Sequence, residues 1–144
     1  LRQMEYHGFD MSPEYIERAS KRYGTGARFV CDNVLTAKIE PDTFDVVTAI
    51  GLLHHLSDEE AKKLLRLAQS ALKKGGRFIT MDGCYAKDQS PIARFLISKD
   101  RGEFMREQEG YRGLAQSVFK DVRQTLRHDL LRIPYTLLIM EMTK

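Results

Sequence analysis

The chain has 144 residues, enough for one domain with a real core and too few for two ordinary ones. Hydrophobic residues make up 42% and charged residues 30%, a balance that excludes a disordered or fibrous chain. Lys and Arg number 23 against 20 Asp and Glu, and a net charge of +3 spread evenly along the chain gives no reason to expect nucleic acid, so a small-molecule partner is expected.

From Met4 to Phe9 the pattern is short and mixed, ending in Gly8-Phe9-Asp10. Ser12-Pro13-Glu14 then supplies an N-cap, a proline at the first helical position and an acid in the first turn, which predicts strand, tight turn and helix. Tyr15, Ile16, Ala19 and Tyr23 recur at helical spacing, and Gly24 and Gly26 break the pattern, so the helix is expected to end near Arg22. Arg28 to Cys31 is a short strand running into Asp32-Asn33. Phe44 to Ile50, rich in β-branched residues, reads as a central, buried strand.

Ser57 with Glu60 forms a capping box, and Ala61, Leu64, Leu65, Ala68 and Leu72 mark the apolar stripe of a helix that Gly75-Gly76 is expected to terminate. Arg77 to Met81 is the next strand, so strand and helix alternate as a parallel sheet with crossover helices requires, and the class is α/β. Between Asp82 and Val118 polar turns and short helical stretches, around Ile92 to Ile97 and Tyr111 to Phe119, suggest a cap over about 83–118. Val122 to Ile133 and Tyr135 to Met142 read as two antiparallel strands joined tightly around Pro134.

Cys31 and Cys84 lie in separate apolar segments with no CxxC spacing or Cys/His set to close a zinc site, so both are expected as reduced thiols in a cytoplasmic protein. No apolar run is long enough to span a bilayer, since Leu137 to Met140 is stopped by Glu141, and no membrane association is expected.

Four segments in this order resemble the class I methyltransferases that use S-adenosylmethionine, in particular their small-molecule group. Gly8 to Pro13 is similar to the end of the family's second strand, Phe29 to Asn33 to the end of its third, Phe44 to Leu56 to the fourth strand and its loop, and Leu72 to Phe78 to the entry of the fifth. The resemblance implies a Rossmann-like sheet, mostly parallel with an antiparallel C-terminal hairpin, in the order 3-2-1-4-5-7-6, and a single domain over 1–144. The family's first strand and glycine-rich loop have no counterpart here. Two interior strands would then carry unpaired backbone groups, so about fifty further residues are expected upstream.

The resemblance assigns Asp10 to the two hydroxyls of the cofactor's ribose, and its position at a parallel strand's carboxyl end suits a ligand. The alternative is that Asp10 belongs to the turn before Ser12. Asp32 would meet the adenine amino group, with the amide of Asn33 near a ring nitrogen, although Asp-Asn is also ordinary turn composition. Met11 would pack on the adenine face, or in the core. Ile50 would floor the site and Gly51 would let the backbone approach the methionine half. The loop lacks the Asn-Pro-Pro-Tyr or Asp-Pro-Pro-Tyr sequence of the family's base methyltransferases, which disfavours base methylation.

His54 and His55 are candidate catalytic bases, because an imidazole titrating near neutrality could take the proton of a hydroxyl or amine nucleophile. The plainer reading has one packing at the strand end and the other capping the loop, and adjacent histidines are expected to point different ways. No partner cluster is visible in the sequence, so no metal is expected. Arg94, Arg101, Arg106 and Tyr111 of the cap could line a substrate mouth, or form a solvated face. Two other functions remain open: a nicotinamide-dependent oxidoreductase, whose ribose also meets an acid after the second strand, and a non-catalytic scaffold of the same fold.

Overall fold

The computed structural model describes residues 4–24 and 26–144, and the chain divides into two compact units, Leu1–Lys38 and Ile39–Lys144. In the first unit, β1 (Tyr6–Asp10) and β2 (Ala27–Cys31) pair in parallel through the crossover helix α1 (Pro13–Tyr23). The helix starts where the residues dictate: the Ser12 hydroxyl accepts from the Tyr15 amide, Pro13 needs no amide partner, and Glu14 complements the helix dipole. Asp10 is in register with Cys31, so both strands end at one edge. No described residue of this unit is buried.

The second unit contains β3 (Phe44–Ile50), a 3₁₀ turn (Leu53–His55), α2 (Asp58–Ala71), β4 (Leu72–Gly83), α3 (Pro91–Ser98), α4 (Gln108–Gln116), β5 (Asp121–Arg127) and β6 (Leu137–Thr143). Its sheet runs β3-β4-β6-β5, with β3 and β4 parallel and β6 antiparallel to both its neighbours. This matches the last four strands of the expected order, 4-5-7-6, and the fold is an α/β class I methyltransferase-type sheet. The apolar stripe of α2 is buried at Ala61, Leu64, Leu65 and Ala68, together with Phe78, Phe119, Leu138, Met140 and Met142 of the strands and connections. At about 25 cal/mol per Å² of apolar surface, this core is the main source of the unit's stability.

Four expectations need correction. Helix α2 ends at Ala71 rather than at Gly75-Gly76, because its last carbonyls are taken from outside the helix: the Asp42 and Thr43 amides donate to Ser70 and Ala71, and the Lys144 amine donates to Ser70 and Leu72. Leu72 thereby starts β4, which is longer than the Arg77 to Met81 run suggests. Strand β3 is not central and buried within its unit: it pairs only with β4 among the described residues, and Val46 and Ile50 are exposed. The closing hairpin is antiparallel as expected, but its first strand stops at Arg127, where the guanidinium turns back onto Asp129. A loop from His128 to Thr136 replaces the tight link at Pro134.

Candidate functional site

At the carboxyl edge of the first unit's strand pair, the Asp32 amide donates to the Asp10 carbonyl at 3.1 Å, which brings the two acids side by side. Both are exposed. Asp10 Oδ1 accepts the Ser12 amide at 2.7 Å, so the turn role is real and takes one of its two oxygens. Asp32 Oδ1 likewise accepts the Asn33 amide at 2.7 Å, and the Asn33 side chain in turn accepts from Leu35. Met11 is 71% exposed, which places its side chain outside any core. A shallow cleft of about 250 Å³ lined by Glu5, Tyr6, His7, Gly26, Ala27 and Arg28 opens at the opposite end of the same strands, away from both acids.

In the second unit, Ile50 and Gly51 stand at the carboxyl end of β3. Gly51 has φ of +63° while its amide donates to the Met81 carbonyl at 2.8 Å, so glycine is needed here for the turn itself. The 3₁₀ turn that follows holds both histidines. Their rings lie 4.2 Å apart rather than diverging, because the turn folds the two side chains to the same side.

His54 is buried, 6% exposed, and anchored from two directions. Its Nδ1 lies 2.9 Å from Asp82 Oδ1, which also accepts the His54 amide at 3.3 Å. Its Nε2 lies 3.4 Å from Asp100 Oδ1. The hydrogen bond to Asp82 raises the His54 pKa; burial opposes this, and the charges of Asp82 and Asp100 reinforce it. Asp100 is itself held by the Tyr135 hydroxyl, which donates to Oδ2 at 2.7 Å, and by the Gly102 amide, which donates to Oδ1 at 3.1 Å. Burial would raise the Asp100 carboxyl, but those two donors and the neighbouring histidines outweigh it and its pKa is lowered. Tyr135 is pushed up, by burial first and then by its bond to Asp100. Gly102 packs closely against the imidazole: a Cβ there would sit 2.1 Å from His54 Cδ2. His55 is exposed.

The cap residues divide. Tyr111 is fully buried and its hydroxyl donates to the Gly83 carbonyl at 3.0 Å, so it is core and not a mouth residue. Arg106 ties the cap to the histidine turn, donating to the carbonyls of Leu53 and Leu56 and to the Asp58 carboxylate. Arg94 is exposed and stacks over the Tyr85 ring, and Arg101 is exposed. Asp82, Asp100, Gly102 and Tyr135 were not candidates from the sequence. Asp82 comes directly after the Arg77 to Met81 run, near the carboxyl end of β4, as Asp10 stands at the end of β1, and that is a sequence signal; Asp100 and Tyr135 carry none.

A family model described as a methyltransferase domain matches residues 1–76. Over 82 residues the chain is 32% identical to the polyketide synthase ThaG of Burkholderia thailandensis, an alignment covering 52% of this chain and 1% of that protein. Among solved structures it is similar to a SAM-dependent methyltransferase from Leishmania major, with a TM-score of 0.75 and 16% identity, over 97% of this chain and 55% of that one. It is similar also to the 1,6-didemethyltoxoflavin-N1-methyltransferase of Burkholderia thailandensis, a structure with 1,6-didemethyltoxoflavin and S-adenosylhomocysteine bound. There the TM-score is 0.68 and the identity 18%, over 96% of this chain and 60% of that one. The chain thus spans little more than half the length of these structural relatives and a small fraction of the polyketide synthase.

Proposed function

The chain belongs to the methyltransferase-domain family, whose model covers 76 of its 144 residues, and on that premise we propose that the protein transfers a methyl group from S-adenosylmethionine to an oxygen, nitrogen or carbon nucleophile of a small molecule. The observation that carries the reading is the pair of exposed acids, Asp10 and Asp32, side by side at the carboxyl ends of parallel strands. Their donor chemistry fits the cofactor. Each acid uses one oxygen in its own turn and keeps the other as an acceptor, suited to a ribose hydroxyl at Asp10 and an amino group at Asp32. Met11 offers apolar area for a purine face, the Asn33 backbone lies beside Asp32, and Ile50 and Gly51 are assigned to the methionine half on the family pattern. The family match runs across both units, and we read them as parts of one domain.

When bound, S-adenosylmethionine supplies a methyl on a positively charged sulfur, ready for in-line displacement. The chain's own residues then have two tasks, to hold donor and acceptor in line and, where the acceptor carries a proton, to receive it. His55, exposed, is the imidazole open to an acceptor. His54, with both ring nitrogens against carboxylates, acts as a positioning residue.

The small-molecule acceptor is supported by the toxoflavin methyltransferase among the structural relatives and by the modest, evenly spread charge, which favours no nucleic acid. Two free thiols suit a reducing compartment, and we read the protein as cytoplasmic. Among the described residues no helix is long and apolar enough to cross a membrane. Calorimetric titration of the full-length protein with S-adenosylmethionine is expected to give saturable heat with a micromolar Kd. Silence at millimolar cofactor would favour the non-catalytic scaffold instead, and saturable heat with NADH would revive the oxidoreductase.

A further inference from the structure

We propose that His54, His55 and Asp100 form a binding site for one divalent transition-metal ion of the zinc class. One ligand atom from each of the three side chains comes within 4.8 Å of the other two. Two imidazole nitrogens and one carboxylate oxygen make a donor set that suits zinc and leaves a fourth tetrahedral position open for water or a ligand oxygen.

The one ligand pair that lies closest to direct contact, His54 with Asp100, has the spacing of a shared ion rather than of a short hydrogen bond. His54 Nε2 and Asp100 Oδ1 are 3.4 Å apart. A charge-assisted bond between a histidine and a carboxylate closes to about 2.7–2.9 Å, as the other nitrogen of the same ring does at 2.9 Å to Asp82. Zinc at about 2.0–2.1 Å from nitrogen and oxygen separates its tetrahedral ligands by about 3.4 Å, the distance found on the Asp100 side.

The surrounding groups are those that a metal-binding histidine uses. Ligating imidazoles commonly donate their second N–H to a carboxylate, which fixes the tautomer and aims the other nitrogen at the ion. Asp82, 2% exposed, stands in that position on His54 Nδ1. Asp100 is oriented by the Tyr135 hydroxyl and the Gly102 amide, and Gly102 also locks the His54 ring. Two of the three ligands are therefore held in place before any ion arrives, and His55, exposed, is the arm that closes. Asp82 and Asp100 favour positive charge at the buried His54 ring, which either a proton or a divalent cation can supply, so the ion binds by displacing the proton on the Asp100 side and binding should strengthen as pH rises. With the ion in place, help in removing an acceptor's proton would come from metal-bound polarisation rather than from His55.

The inference stands on the cluster's geometry and needs no cofactor, so it and methyl transfer fail separately. Full-length protein, stripped with a chelator and titrated with Co2+ and then Zn2+, is expected to bind with micromolar or tighter Kd and to develop the visible absorption of tetrahedral cobalt. His55→Ala, at an exposed position, should leave the circular dichroism unchanged and weaken binding at least ~10-fold, and Asp82→Asn should weaken it ~10–100-fold. His128→Ala, outside the cluster, should change nothing. The proposal is overturned if no cobalt absorption develops at millimolar metal, or if the bound ion is indifferent to both His55→Ala and Asp100→Asn.

Discussion

The two units place their candidate chemistry on opposite physical footings. In Leu1–Lys38 the acids Asp10 and Asp32 are exposed, each is held by a hydrogen bond to a residue one or two positions along the chain, and no described residue is buried. In Ile39–Lys144 the His54 imidazole is buried and is held by Asp82 and Asp100, far away in the sequence, with Gly102 packed against its ring. Exposed groups with local partners can be replaced at little cost to the fold, and what they lose is ligand. Buried groups with remote partners carry stability as well, because water cannot take over a partner's role. The same chain should therefore show substitutions that cost affinity alone and substitutions that cost the fold.

The largest effect is expected at Asp82→Ala, which leaves both the ring nitrogen and the amide of buried His54 without their acceptor. Breaking a buried charged pair of this kind costs ~3–5 kcal/mol, read as a lowered urea midpoint at constant m. A smaller loss would show that water reaches the imidazole. Next comes Gly102→Ala, whose Cβ would stand 2.1 Å from His54 Cδ2 and 2.8 Å from the His54 carbonyl. Displacing the ring or the loop is expected to cost ~1–3 kcal/mol. Asp10→Asn tests the other side of the contrast. The amide oxygen can still accept from Ser12, so the turn should hold and the unfolding free energy should stay within ~0.5 kcal/mol of the parent. Affinity for S-adenosylmethionine should fall at least ~10-fold, about 1.4 kcal/mol. An unstable Asp10→Asn protein, or one with unchanged affinity, would confine Asp10 to its turn.

This contrast also explains what could be read from the sequence. Alternating strand and helix, the Ser12 and Ser57 caps and the acids after two strands are local signals, and their elements lie where the residues predict. Helix α2 ends before Gly75-Gly76 because its last carbonyls are satisfied by Asp42, Thr43 and Lys144, partners no window around Gly75 contains. Strand β3 has the composition of a buried strand, but burial depends on what lies beside it, and β4 is its only described neighbour. Tyr111 gave the same signal as a mouth residue and as a core residue, and only the Gly83 carbonyl distinguishes them. The cluster around His54 was invisible for the same reason: Asp100 and Tyr135 arrive through α3 and the β5–β6 loop, and no spacing rule links positions 54, 82, 100 and 135.

The smallest expected effect uses the two cysteines as reporters of the same contrast. Cys84 is fully buried just after β4, and burial, with the charge of Glu107 added, pushes its thiol up to about 12. Cys31, at the end of β2, is exposed. The thiolate is the reactive form, so at pH 8 Cys84 should be both inaccessible and protonated, and raising the pH to 10 should gain it little. A maleimide added to the native full-length protein, with the labelled positions located by peptide mass, is expected to mark Cys31 promptly and Cys84 only after denaturant. Slow labelling of Cys84 that tracks urea below the unfolding midpoint would report local opening beside Asp82. Equal rates at the two thiols would mean that the second unit does not exclude water around the imidazole, and the large penalty expected at Asp82 would have to shrink with it.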